Sequence, residues 1–215
     1  MLRIPDIVRR KNNIQFLQEE EDAKIHDLLQ KKNNSLSLRD EAIGKLLYFT
    51  GLRACDIADM KFENIDWNND VIKIIQSKTG HVVELPLIST VGNSIYAYIK
   101  NERPSVKLEN HIFLKCKAPF DPITFKSLWA ISAKIYRAAG IRVSEGDRKG
   151  THLFRHNLAS KMIRSGVLQP VVTETLGHSD PESLKHYLES DIQGLRKCTL
   201  SIKRFPVKKE IFENV

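Results

Sequence analysis

The hydrophobic pattern of the chain begins late. Residues 1–18 mix Lys, Arg and Asn without a clear period and read as a linker or loose arm. LQEEEDAKIHDLLQKKNN then predicts a helix, acidic at its start and basic at its end, as the macrodipole favours. A second helix opens at Ser37 or Asp40. Ala42, Ile43, Leu46, Leu47 and Phe49 recur there at helical spacing until Thr50 and Gly51. A short helix over LRACDIADMK follows the glycine.

The period then switches to alternation. FENIDW, VIKIIQSK and HVVELPL are short β-rich runs, joined by the turn residues Asn68-Asn69-Asp70 and Thr79-Gly80. They predict a three-stranded antiparallel meander, with Pro86 at a strand end or edge. Helix returns over STVGNSIYAYIKNE, over PITFKSLWAISAKIYRAAG with Gly140 as its stop, and in a long stretch from His152. In that stretch Leu153, Phe154, Leu158, Met162 and Ile163 form the buried side, and Gly166 suits the position just past a helix end. Gly177 ends a further helix, and Asp180 and Pro181 suit the cap and first position of the next. The fold class predicted is α+β, a mostly helical domain with one small antiparallel sheet at its edge.

Composition narrows the function classes. At 215 residues one domain is expected, long enough to bury a core without disulfide or metal support. Cys55, Cys116 and Cys198 are odd in number and far apart, which fits a reducing cytosol rather than a secreted disulfide framework. No apolar run approaches the roughly 20 residues of a membrane span, and MLRIPDIVRR lacks the apolar core of a signal peptide. Membrane and secreted readings are excluded and a cytoplasmic protein is expected. The net charge is +8, and the excess sits in the second half: residues 101–150 carry 10 basic and 5 acidic groups, residues 151–215 carry 10 and 7. An acidic partner fits that balance, and nucleic acid is the commonest kind.

Four pieces could carry chemistry. In THLFRHNLASKMIRSG, His152 and Arg155 share a helix face, with His156 one turn from His152. In TETLGHSDPESLKHYLESD, His178 sits in a tight turn between two helices and Tyr187 on the second of them. TGLRACDIADM places Arg53 just after a glycine, with Asp56 three residues on to orient it as an ion pair. QSKTGHVVELPL puts Lys78 beside a hairpin tip, where its stem could reach into a groove. Each alone fits an ordinary surface. His152 and His156 have a spacing that zinc helices use. The intervening residues lack the Glu of a zinc protease motif, however, and no carboxylate or Cys completes a set nearby.

Together, the order is an Arg with a following acid, a hairpin Lys before a Gly turn, His-x-x-Arg, Leu-Gly-His, and a Tyr nine residues beyond that His. This resembles the catalytic domain of the tyrosine recombinases, the phage integrase family, from about Leu17 to about Leu200. The resemblance implies a catalytic set of Arg53, Lys78, His152, Arg155, His178 and Tyr187. Departures are mild: Asp56 stands where the family more often has Glu, Phe154 where Leu usually precedes the second Arg, and Asn157 replaces a common Ser or Thr. Residues 1–18 are too few for the separate N-terminal DNA-binding domain that members usually carry. A catalytic fragment or a naturally short member is expected, with residues 1–18 as arm, 19–200 as catalytic domain and 201–215 as tail.

The implied chemistry suits these residue types. A tyrosine phenol, with a pKa of about 10, attacks poorly at neutral pH unless nearby cations favour its phenolate and a base such as His152 takes the proton. Arg53 and Arg155 offer fixed forks to the non-bridging phosphate oxygens, and His178 adds a hydrogen bond. Lys78 can give a proton to the departing 5′ oxygen, which a guanidinium cannot. No metal or other cofactor is expected. The implied partner is double-stranded DNA, bound by a ring of four protomers on two duplexes. The isolated chain can remain monomeric. The tail CTLSIKRFPVKKEIFENV, with Leu200, Ile202 and Phe205 in loose alternation, has the edge character that pairs with another chain. Two other readings stand beside this one: a type IB topoisomerase-like enzyme working alone, and a DNA-binding protein that has lost catalysis. The six intact residues argue against the second.

Overall fold

A computed structural model describes residues 17–31, 35–107 and 109–177. The fold is α+β, with seven helices and one three-stranded antiparallel sheet among these residues. Helix α1 (Glu19–Gln30) opens on four acidic residues, but its last turn holds no basic one. The backbone is already extended at Lys31, so the helix stops short of the basic end expected for it.

Helix α2 (Leu38–Thr50) is the axis of the core. Ser37 is its cap, its hydroxyl accepting from the Asp40 amide at 3.2 Å. Ala42, Ile43, Leu46, Leu47 and Tyr48 are all buried, so the helix is apolar on most sides and packs against α4 (Ser89–Asn101), α5 (Phe125–Ala138) and α6 (His152–Arg164). Gly44 permits the approach to α5, where an added Cβ would lie 2.8 Å from Ile135. Gly51 ends α2 at φ 63°, a left-handed conformation that favours glycine. The short α3 (Ala54–Ala58) follows at once.

The sheet is the expected meander in the order β1-β2-β3: β1 (Ile65–Asp66), β2 (Val71–Ile75) and β3 (Val82–Pro86). FENIDW contributes less strand than its alternation predicts, because Phe62–Asn64 coils into a 3-10 turn. Ile72 and Ile74 face Leu85 and Val83 on the buried side, while Lys73 and Glu84 pair outside at 2.6 Å. Pro86 closes its strand opposite Val71. Gln76, Ser77 and Lys78 belong to the turn rather than to β2.

Residues 103–124, which carry no period, are held by Arg103. Its guanidinium donates to the carbonyls of Ile112, Glu109 and His111 at 2.8–3.0 Å. Gly140 stops α5 as expected, at φ 68°. The expected buried side of α6 is divided. Leu153 and Phe154 join the main core, whereas Leu158, Met162 and Ile163 are only partly buried, packing with Ala159, Val172 and Leu176 under α7 (Gln169–Leu176). Asp22 of α1 fastens the second half of the chain to the first: Tyr48, Asn157 and Lys161 all bond its carboxylate at 2.6–2.8 Å. These bonds hold its carboxyl below the ordinary carboxylate pKa against the opposing effect of burial. No described helix is long and apolar enough to cross a membrane.

Candidate active site

Two helix ends meet at one place. Helix α2 ends at Gly51 and α7 ends at Gly177, which is left-handed at φ 62°. Arg155, in the first turn of α6 and 5% exposed, bridges the two ends. Its Nη1 donates to the Gly51 carbonyl at 2.9 Å and its Nη2 to the Leu176 carbonyl. Helix C-termini carry partial negative charge, so both contacts favour a cation.

Arg53 reaches the same place from the other side. It precedes α3 in an extended conformation and is half-buried. Nη2 donates to the Gly177 carbonyl at 3.0 Å and Nη1 to the Gln76 side chain. The expected ion pair with Asp56 does not form. Asp56 is buried and turned toward the β2–β3 hairpin, where Oδ1 accepts from the Ser77 amide at 3.0 Å. Its Oδ2 is buried with no hydrogen-bond partner. Asp56 therefore holds the neck of the hairpin that presents Lys78, and Lys78 stands exposed in the turn beyond it.

His152 opens α6 with its side chain at solvent. Its pKa is lowered from the ordinary 6.5, first by the protein mass around it and then by the charges of Arg155, Lys78 and Arg53. A neutral imidazole among three cations can accept a proton at neutral pH. His156, one turn on, is pushed down to about 4 by burial, His152 and Arg155. Both histidines line a cleft of about 410 Å³ with Trp129, Arg148 and Lys149. The Ser132 hydroxyl, donating to the Lys149 carbonyl at 2.6 Å, pins the cleft wall to α5. A larger cavity of about 650 Å³ lies at the opposite end of α2, beside Arg39 and Lys134, away from these cations. Among the described residues no group of three His, Cys, Asp or Glu side chains could hold a metal ion.

Four of the six sequence-predicted residues, Arg53, Lys78, His152 and Arg155, thus come together. His178 and Tyr187 lie outside the described residues, as do residues 1–16, the Asp180 cap and the tail with Leu200, Ile202 and Phe205. A model of the phage integrase family matches residues 15–193. The chain belongs to the phage integrase family.

Its relatives include the putative integrase/recombinase y4gC of Sinorhizobium fredii, 33% identical over 165 residues, which covers 77% of this chain and 83% of that protein. The tyrosine recombinase XerC of Staphylococcus epidermidis is 28% identical over 188 residues, covering 87% of this chain and 61% of XerC. The chain therefore spans about three fifths of XerC. The crystal structure of XerA recombinase shares the fold, with a TM-score of 0.69 at 16% identity over 90% of this chain and 66% of that one.

Within this phage integrase frame, sequence reasoning missed Gln76. Gln76 is 1% exposed, and its carboxamide lies between Arg53 and the Leu176 carbonyl. Read locally, QSK continues an alternating strand, and nothing nearby signals a contact with a residue 100 positions away.

Proposed function

We propose that the protein is a site-specific recombinase that cleaves and rejoins double-stranded DNA through a 3′-phosphotyrosyl intermediate. The observation that carries this reading is the convergence of Arg53, Lys78 and Arg155 around a neutral His152, at the turn that leads directly into His178. The Tyr187 oxygen attacks phosphorus, its proton passes to His152, and the bond from phosphorus to the 5′ oxygen breaks as Lys78 protonates that oxygen. Arg53 and Arg155, with His178, stabilise charge on the non-bridging oxygens. One phosphoester bond replaces another, so rejoining needs no ATP. The relatives' printed names support a recombinase over a topoisomerase or an inactive binder. XerH, a structural relative, was crystallised on its difH substrate after cleavage, which supports duplex DNA as the partner. We assign residues 19–200 as the catalytic domain, 1–18 as an arm, and 201–215 as a tail that pairs with a neighbouring protomer in a tetramer on DNA.

The test is covalent capture. The chain is incubated with a randomised library of nicked duplexes, and protein–DNA adducts are isolated under denaturing conditions. Wild type gives an adduct that maps to Tyr187, and Tyr187→Phe gives none while binding DNA about as well. No adduct with wild type, or one mapping to another tyrosine, rejects the assignment.

A further inference from the structure

The hydrogen bonds around the two arginines close into a ring. Arg53 donates to the Gln76 carboxamide oxygen, and the carboxamide nitrogen donates to the Leu176 carbonyl at 3.1 Å. The same carbonyl accepts from Arg155, whose other amino group holds the Gly51 carbonyl at 2.9 Å. Two residues of backbone return from Gly51 to Arg53. Gln76 is the one side chain in this ring that is not itself a cation.

Three further observations show how tightly it is placed. Its Oε1 also accepts from the Thr79 hydroxyl at 3.0 Å, within the turn that bears Lys78. Gly177 has no side chain where Gln76 lies, and a Cβ added there would overlap the carboxamide. The turn itself is closed by backbone bonds, Gln76 amide to His81 carbonyl at 2.9 Å and Gly80 amide to Gln76 carbonyl at 2.8 Å. Changing the Gln76 side chain therefore leaves the Lys78 turn standing and acts on the arginines.

We propose that Gln76 is a positioning residue that fixes Arg53 relative to Arg155 and to the Leu176–Gly177 turn, so that both guanidinium groups meet the reacting phosphate together. This rests on the strand-cleavage reading above. A carboxamide suits the task because it offers one acceptor and one donor face without charge. Arg53 is oriented while its positive charge stays available to the phosphate.

The experiment uses the full chain and the nicked duplex recovered by wild-type capture, with Gln76→Leu and Gln76→Glu as variants. Gln76→Leu should form adduct about tenfold to a hundredfold more slowly, with DNA affinity within about threefold of wild type, as expected when charge stabilisation in the transition state is misaligned. A second substrate carries a methylphosphonate at the cleaved position, which removes one non-bridging negative charge. On at least one of its two isomers the deficit of Gln76→Leu should shrink to about threefold or less, because less charge remains for Arg53 to neutralise. Gln76→Glu guards against a folding defect in the leucine variant. Ionised, its carboxylate pairs with Arg53 and repels the Leu176 carbonyl; protonated, it again presents one acceptor and one donor. Its deficit should persist from about pH 8 to about pH 5.5, because the Arg53 guanidinium holds the carboxylate ionised across that range. Wild-type cleavage rates in Gln76→Leu overturn this inference alone. An equal deficit on both substrates, or wild-type cleavage rates in Gln76→Glu, overturns it too. Absence of adduct with wild type overturns both this inference and the functional reading.

Discussion

Arg155→Lys separates charge from geometry at the centre of the site. The substitution keeps a positive charge but replaces a planar fork with a single ammonium on a flexible stem. In the fold, Arg155 is buried and its two amino groups hold the ends of different helices, Gly51 of α2 and Leu176 of α7. One ammonium in that position cannot reproduce both contacts. Losing one charge-assisted hydrogen bond to a buried carbonyl costs about 1.5–3 kcal/mol. For a chain of this size each kcal/mol lowers Tm by about 2–4 °C, so a fall of about 3–12 °C is expected. Cleavage should fall by about 10²-fold or more, since in the proposed mechanism the fork also faces the transition-state charge. DNA affinity should change little, because the charge is retained. Thermal unfolding, adduct formation under single-turnover conditions and a binding titration measure the three effects. A Tm within about 1 °C of wild type would refute the claim that Arg155 staples the two helix ends. Wild-type cleavage would refute its place at the phosphate.

Two further substitutions probe the same neighbourhood. His156 has a folded pKa of about 4 against an ordinary 6.5, so the unfolded chain takes up its proton first as pH falls. The stability it contributes is present above about pH 6.5 and is lost toward pH 4, by up to about 3 kcal/mol. His156→Gln should flatten that part of a stability-versus-pH curve measured by denaturant unfolding, and a curve parallel to wild type counts against the assignment. Gly177→Ala places a methyl group at φ 62° and into the Gln76 carboxamide. It should cost about 1–2 kcal/mol from the left-handed backbone alone and slow adduct formation, whereas an unchanged rate would mean that the carboxamide need not stand where it does.

Legibility from sequence followed the range of the interactions. Gly51, Gly140 and Gly177 mark real helix ends because a left-handed residue is a local requirement, readable from one position. The alternation of VIKII against VVELP sets the register because each strand has one buried face. Four candidate residues that the fold brings together were legible through motif order, since Arg53, Lys78, His152 and Arg155 each lie beside a turn or a helix start that punctuates the sequence. The misses are contacts between distant segments. Whether Arg53 pairs with Asp56 depends on which way a five-residue helix faces, and the hairpin decides that by presenting the Ser77 amide to Asp56. Gln76 has no local signature, because its partners Arg53 and Leu176 lie 23 and 100 positions away. The division of α6 between two apolar clusters depends on where α7 returns, which the helical period of α6 does not contain.

The failed ion pair has a chemical consequence. A carboxylate about 4 Å from Arg53 would hold the guanidinium with about 4 kcal/mol of attraction at an effective dielectric near 20. An incoming phosphate would have to work against that interaction, and the neutralised pair would attract it less. Among the partners of the two arginines are the carbonyl oxygens of Gly51, Leu176 and Gly177 and the neutral carboxamide of Gln76. Dipoles fix direction without cancelling net charge, so these contacts orient the guanidinium groups and leave the Arg53 charge in place. His152 follows the same electrostatics: burial first, and then the charges of Arg155, Lys78 and Arg53, lower its pKa and favour the neutral imidazole. In the proposed mechanism, a base for Tyr187 and two forks for phosphate are therefore one electrostatic arrangement. Replacing Gln76 with an ionised glutamate strikes at both, because it introduces the negative charge that the fold has turned away at Asp56.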